Sequence, residues 1–130
     1  MIAYEDAAAA IDWLTGAFGF REREGRRYTA EDGTVGHAEL ELDGEVVMLA
    51  TLNREYQSPG RHRESCEAAR RWLDNPWVID SVFVQVEHHA QATAAGANAI
   101  RPLESAELAG MRLYTVEDLE GHRWMFGQPR

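Results

Sequence analysis

Lysine, cysteine and long apolar runs are scarce or missing in this sequence. No lysine occurs, so all 13 basic residues are arginine, and 22 acidic residues bring the formal net charge to −9. Nucleic acids and anionic membrane surfaces both select basic proteins, so we expect neither as a partner. Cys66 is the single cysteine, which excludes an internal disulfide and suits a reducing cytoplasm.

The sequence also lacks the apolar segments that direct a protein to or through a membrane. No stretch approaches the ~18 apolar residues of a transmembrane helix, and the first residues do not have the pattern of a secretory signal. We therefore expect a soluble cytoplasmic protein. Its 45% apolar content and four residues each of Trp, Tyr and Phe are enough for a core, and its 130 residues fit one domain.

The first half of the chain has a strand–helix–strand pattern. Asp6 is a good helix N-cap, Ile11, Leu14 and Phe18 share one helical face, and Gly19 follows as a stop. Asp-Gly pairs separate the later runs, as in β-hairpins. The pattern predicts a strand remnant in "MIAY", a helix over Asp6–Phe18 and strands over Phe20–Thr29, Val35–Leu42 and Glu45–Leu52.

The second half repeats this pattern after an arginine-rich connector. Cys66, Ala69 and Leu73 have helical spacing, which predicts a connector helix from about His62 to Asp74. After it we expect strands over Val78–Val86, Ala99–Leu103, Met111–Val116 and His122–Gln128, with a helix over His88–Ala95. One α+β domain is therefore predicted over residues 1–130, with a β-α-β-β-β module at about 1–52, a connector at about 53–76 and a second module at about 77–130.

Four ordered segments carry a resemblance to a known family. They are "YEDAAAAIDWLTGAFGF", "DGTVGHAELELDGEVVML", "HHAQATAAGANAI" and "DLEGHRWMFG". The chain resembles the vicinal oxygen chelate superfamily, and within it the glyoxalase/bleomycin-resistance-like proteins. The resemblance implies two β-α-β-β-β modules whose mixed sheets curl around a cleft, often completed by a homodimer.

The resemblance also identifies four positions where metal-dependent members carry His or Glu ligands. The first falls before Met1, and the others fall on Leu49, Ser81 and Met125. Leucine, serine and methionine do not bind a hard divalent cation. We therefore expect no metal and no other cofactor, with a divalent metal kept as the disfavoured alternative.

The candidate ligand-binding residues each have a second interpretation. His37 and Glu39 lie two residues apart, so they project to the same face of a strand. They could line the cleft as a polar or acid/base pair, or they could belong to a solvated face. Arg123 could pair with a ligand carboxylate or be solvated. Tyr114 could form an aromatic wall or pack in the core. Leu49, Phe83 and Met125 are expected near the ligand through the resemblance.

These observations favour a metal-free protein that binds a small, partly apolar or aromatic molecule, such as an antibiotic held away from its target. The alternative is an enzyme, either a glyoxalase-like lyase or isomerase or a metal-free member using His37 and Glu39. A third hypothesis is an interaction module, suggested by the arginine-rich connector. The sequence identifies no catalytic residue.

Overall fold

The computed structural model describes residues 1–72, 81–86 and 110–129 in full and the backbone of 98–106. The first part comprises β1 (Ile2–Tyr4), α1 (Ala7–Phe18), β2 (Arg21–Glu22), β3 (Tyr28–Thr29), β4 (Val35–Leu42) and β5 (Glu45–Thr51). Next come α2 (Pro59–Ser65) and α3 (Glu67–Arg71). The second part contains β6 (Ser81–Gln85), β7 (Asn98–Ala106), β8 (Met111–Glu117) and β9 (Arg123–Pro129).

The two sheets have the same strand order. The first is ordered β1-β5-β4-β2, with β3 also pairing with β4, and the second is ordered β6-β9-β8-β7. In each sheet the first strand runs parallel to the last one, and the remaining pairs are antiparallel. This repeated arrangement of mixed sheets confirms the predicted α+β fold class.

The helix α1 forms as the sequence predicts. The Asp6 side chain accepts a hydrogen bond of 3.1 Å from the Ala9 amide. Gly19 ends the helix in the left-handed conformation with φ 77°, which glycine adopts without steric cost. In the part of the chain that the structure describes, no helix has the length and apolar character that crossing a membrane requires.

Two predicted elements are divided in the structure. The strand predicted over Phe20–Thr29 is two short strands, β2 and β3, with Gly25 at φ 70° between them. The prediction of a single connector helix was wrong. Ser58 caps a helix that begins at Pro59, and extended backbone at Cys66 separates α2 from α3. Serine at the N-cap and proline at the first position favour this earlier start. The helix predicted over His88–Ala95 lies outside the described residues.

The core joins the two modules through aromatic rings. Phe18 on α1 lies 5.7 Å from Trp124 and 4.8 Å from Phe126, and Phe20 lies 5.5 Å from Trp124, between ring centroids. These four side chains are at most 4% exposed. Edge-to-face pairs of this kind stabilise packing beyond the area that they bury. The end of the chain is therefore part of the same core as the first helix.

Strand register defines two faces of each sheet. Directly opposed residues project to the same side, so Ala38 and Leu49 share one side and Glu39 and Met48 share the other. The side that belongs to the hydrophobic core is called the core face here, and the opposite side is called the outer face. The outer face of the first sheet carries Ala3, His37, Glu39, Glu41, Val46, Met48 and Ala50. The outer face of the second sheet carries Ser81, Phe83, Gln85, Leu113, Thr115, Glu117, Arg123, Met125 and Gly127.

Candidate functional site

Asp118 connects the two modules through a buried carboxylate. Its Oδ2 accepts hydrogen bonds from the Tyr4 hydroxyl at 2.6 Å and from Trp124 Nε1 at 2.9 Å. Its Oδ1 accepts from the amides of Glu120 and His122, each at 3.0 Å. The residue is only 7% exposed. Both oxygens are occupied, so this carboxylate stabilises the fold and has no acceptor left for a ligand.

His122 belongs to the same structural junction. Its Nε2 lies 2.8 Å from the Ala3 carbonyl oxygen, and its ring meets the Tyr4 ring edge-on at 4.7 Å. A carbonyl oxygen only accepts hydrogen bonds, so Nε2 carries the proton in this contact. The same carbonyl accepts a hydrogen bond from the Tyr56 hydroxyl at 2.9 Å. Through these contacts His122 ties the turn to the first strand.

A polar groove of about 530 Å³ lies beside this junction, between α2 and the turn from Glu117 to Gly121. Two ion pairs lie along it: Arg63 to Glu117 at 2.9 Å and Arg61 to Glu5 at 3.4 Å. Arg63 also donates to the Gly121 carbonyl at 3.0 Å. The Arg63 contacts therefore hold α2 against the turn, and the Arg61–Glu5 pair joins α2 to the segment before α1.

The outer face of the first sheet brings His37 and Glu39 together. His37 Nε2 lies 3.5 Å from Glu39 Oε1, and the Glu39 side chain is 11% exposed. Arg23 donates to the other carboxylate oxygen of Glu39 at 2.6 Å. Met48, directly opposite Glu39 in the register, is 44% exposed. This face therefore combines a charged cluster with an accessible apolar side chain.

The outer face of the second sheet is mainly apolar around Phe83 and Met125. These residues are register partners on β6 and β9, and Thr115 on β8 is the next partner across the sheet. Phe83 is 51% exposed and Met125 is half-buried, whereas Thr115 and Arg123 are buried at 3% and 6% exposure. On this face the small Thr115 side chain is therefore buried beside the more exposed Met125 and Phe83.

The structure places two of the candidate ligand-binding residues away from both outer faces. Leu49 is fully buried on the core face of the first sheet, opposite Ala38. Tyr114 is 5% exposed and stacks on Phe126 at 4.9 Å on the core face of the second sheet. In a strand, neighbouring residues face opposite sides, so an offset of one residue changes the face. On β5 the adjacent outer-face residue is Ala50.

The remaining candidates divide between the two outer faces. His37 and Glu39 lie together on the first sheet, and Phe83, Arg123 and Met125 lie together on the second. Trp124 and Phe126 pack in the core against Phe18 of α1.

The donor set does not fit a divalent metal. The outer-face residues on the strands that supply ligands in metal-dependent members include Ala3, Ala50, Ser81 and Met125. Neither alanine has a donor atom, and methionine offers a soft thioether that hard divalent cations avoid. Among residues 1–72, 81–86 and 110–129, no three His, Cys, Asp or Glu side chains are grouped so that they could hold a metal ion.

Burial raises the pKa of two tyrosine hydroxyls. Burial raises the pKa of Tyr4 above its usual range, and the nearby Asp118 carboxylate adds to this effect. Burial alone raises the pKa of Tyr114. Both hydroxyls therefore stay protonated across the physiological range, and Tyr4 acts as a donor to Asp118.

The sequence interpretation missed Tyr4, Asp118 and Glu120 as residues that organise this region. Glu120 accepts the amides of Glu5 and Asp6 at 2.8 and 2.9 Å, which ties the turn to the start of α1. The signal available was the run of acidic residues just before Gly121, since Asp and Glu commonly bond nearby amides in turns. The long-range partners have no signal in one sequence.

The same strand order in both mixed sheets, with a helix after the first strand of the first sheet, defines a class of small α+β proteins built from two similar sheets. Residues 1–126 match the Glyoxalase/Bleomycin resistance protein/Dioxygenase superfamily. The chain belongs to this family, as its resemblance to vicinal oxygen chelate proteins predicts.

Solved structures agree with this assignment. TioX from Micromonospora sp. ML1 is 33% identical, with a TM-score of 0.69 over 99% of this chain and 92% of TioX. Protein PA1353 from Pseudomonas aeruginosa is 16% identical, with a TM-score of 0.60 over 99% and 97% of the two chains. The fosfomycin resistance protein FosX from Listeria monocytogenes, solved with Mn(II), is 10% identical, with a TM-score of 0.57 over 99% and 86%. These last two show a shared fold. A comparison with curated proteins gave no match.

Proposed function

We propose that this chain is a small-molecule-binding protein that works without a metal ion. The observation that carries the proposal is the outer face of the second sheet, where Phe83 is 51% exposed and Met125 lies beside it. Ligand sites in proteins are mostly apolar with a few placed polar groups. Thr115 and Arg123 supply polar groups next to this apolar pair.

The residues at the family's metal positions support binding without a metal. Met125 takes the position that the resemblance assigns to a glutamate ligand, and Ala50 and Ser81 offer no strong donor on the neighbouring strands. A ligand at this face would therefore be held by apolar contact and hydrogen bonds. Sequestration of an antibiotic is the biological role that we infer, since the family includes bleomycin-resistance proteins.

The same proposal includes a homodimer in the cytoplasm. The outer faces carry exposed apolar side chains on both sheets, including Val46 at 39% and Met48 at 44%. A second copy of the chain would cover these side chains of the first sheet, whereas the ligand would cover Phe83 on the second sheet.

The second candidate function is an enzyme that uses His37 and Glu39 as acid and base. Their 3.5 Å separation on one sheet face favours it. Arg23 donates a hydrogen bond of 2.6 Å to the other Glu39 oxygen. This bond orients the carboxylate but also occupies one of its two oxygens. Substitution of His37 by alanine would abolish turnover in this case, whereas simple sequestration requires no turnover at all.

The experiment that tests the proposal combines a ligand screen with a metal analysis. A thermal-shift screen of antibiotics and small aromatic molecules should identify compounds that stabilise the chain, and calorimetry should give one binding site per chain. The Met125→Glu variant places a charge beside Phe83 on this apolar face and should weaken the binding of these compounds about tenfold or more. The Leu119→Ala variant, at an exposed position in the β8–β9 turn, is the matched control. Stoichiometric zinc, nickel or iron in the purified protein would overturn the proposal.

A further inference from the structure

The Phe83 ring lies in the space that a side chain at position 127 would occupy. A Cβ atom built on Gly127 would lie 2.7 Å from Phe83 Cζ and 2.9 Å from Phe83 Cε2. Real contacts of this kind are essentially never so short, so the ring occupies the space that any other residue at position 127 would fill. The ring therefore lies over the backbone of β9 and leaves half of its surface open.

The surroundings of the ring are suited to a small flat molecule. Leu113 Cδ2 lies 3.2 Å from the same Gly127 Cβ position, so it borders the ring on one side. Met125 is the register partner of Phe83 and borders it on another side. Thr115 is buried on the other side of Met125 in the register. A half-exposed ring that lies over the strand offers an aromatic surface to a molecule bound at this face.

We propose that Phe83 is a stacking platform that makes the site select planar aromatic rings over saturated ones of similar shape. This inference rests on the proposed binding function and names its ligand class. Aromatic pairs prefer offset or edge-to-face contacts and gain stabilisation beyond the burial of apolar area. Gly127 is the positioning residue, because it sets how close to the sheet the Phe83 ring lies.

The test uses two probes that differ in aromaticity, 2-naphthol and decahydro-2-naphthol. Binding is followed by NMR on protein labelled in its phenylalanine rings, with Phe83 assigned from the Phe83→Leu variant. The other three phenylalanines, Phe18, Phe20 and Phe126, are at most 4% exposed and report on the core. We expect 2-naphthol to bind about three- to tenfold more tightly and to move the Phe83 signals upfield by its ring current.

Two variants test the geometry. Gly127→Ala should displace the Phe83 ring, which is the flexible end of a side chain, and remove the preference for 2-naphthol while the core phenylalanine signals stay in place. Phe83→Leu should remove the same preference. Leu52→Ala changes a similarly exposed apolar residue, 52% against 51%, and should keep the preference unchanged.

Three results would overturn the inference. Equal binding of the two probes with unmoved Phe83 signals would leave a binding site without an aromatic platform. Phe83 signals that shift with protein concentration, in the absence of probe, would mean that a second copy covers this face. Failure of both probes to bind would also reject the aromatic preference, and the antibiotic screen would then decide the proposed function separately.

Discussion

The Tyr4 hydroxyl donates a 2.6 Å hydrogen bond to the Asp118 carboxylate, although 114 residues separate the two in sequence. Tyr4 ends the first strand of the first sheet, and Asp118 begins the turn before the last strand of the second. Trp124 donates to the same carboxylate oxygen at 2.9 Å. One buried carboxylate thus fixes the start of one module against the end of the other.

Removal of the Tyr4 hydroxyl should destabilise the fold. The Tyr4→Phe substitution keeps the ring and takes one donor from a buried carboxylate, so the free energy of unfolding should fall by about 1–3 kcal/mol. Tyr28→Phe is the control, because Tyr28 is 64% exposed, and should change stability by less than about 0.5 kcal/mol. Urea denaturation monitored by tryptophan fluorescence measures both variants. An equal change in the free energy of unfolding for Tyr4→Phe and Tyr28→Phe would show that the Tyr4–Asp118 hydrogen bond does not stabilise the fold.

Stability should fall steeply in alkaline solution. The folded protein raises the pKa of Tyr4 and Tyr114, whereas tyrosine in an unfolded chain ionises near pH ~10. Below that pH both states keep the protons and the stabilisation is complete. Above it only the unfolded chain loses them, so these two groups should lower the free energy of unfolding by up to about 2.7 kcal/mol per pH unit.

The Tyr4→Phe variant separates the contribution of Tyr4 from that of Tyr114. Removal of one titrating group should halve the alkaline slope, which urea titrations at several pH values above ~10 would measure. The same slope in the variant and the parent protein would mean that other groups cause the alkaline loss.

Glycine is required at position 121 for two reasons. Its φ is +84°, and an added Cβ would lie 2.8 Å from the Gly60 amide nitrogen and overlap the Arg63 guanidinium. Gly33 has nearly the same φ of +85° with open space around it. Gly33→Ala should therefore cost only the backbone strain, about 1–2 kcal/mol. Gly121→Ala should cost about 1–3 kcal/mol more, because the added methyl group overlaps the α2 backbone. Thermal or urea unfolding of both variants checks this difference, and equal costs would refute the steric part.

Local patterns in the sequence were sufficient for most of the fold. Asp6 and Gly19 mark the ends of α1, and the Asp43-Gly44 turn separates β4 from β5, because these signals act within a few residues of chain. The break at Cys66 was missed, since helical spacing alone does not detect an extended residue between two short helices.

The candidate site was less accessible to sequence reasoning. Leu49 was assigned to the wrong face because a shift of one residue along a strand exchanges the two sides of a sheet. Tyr114 packs in the core, which was the second of its two interpretations. The contact between Phe83 and Gly127 depends on the register of β6 with β9, which are separated by two other strands in sequence. No local pattern encodes that register.

The most direct test of the central claim is calorimetric titration of a ligand from the screen into protein that has been treated with a chelator and into untreated protein. Binding through apolar and hydrogen-bonding contacts on the outer face of the second sheet predicts the same Kd in both samples, within about twofold, which corresponds to about 0.4 kcal/mol. Loss of binding after chelation, with recovery on addition of zinc, nickel, manganese or iron, would contradict the account.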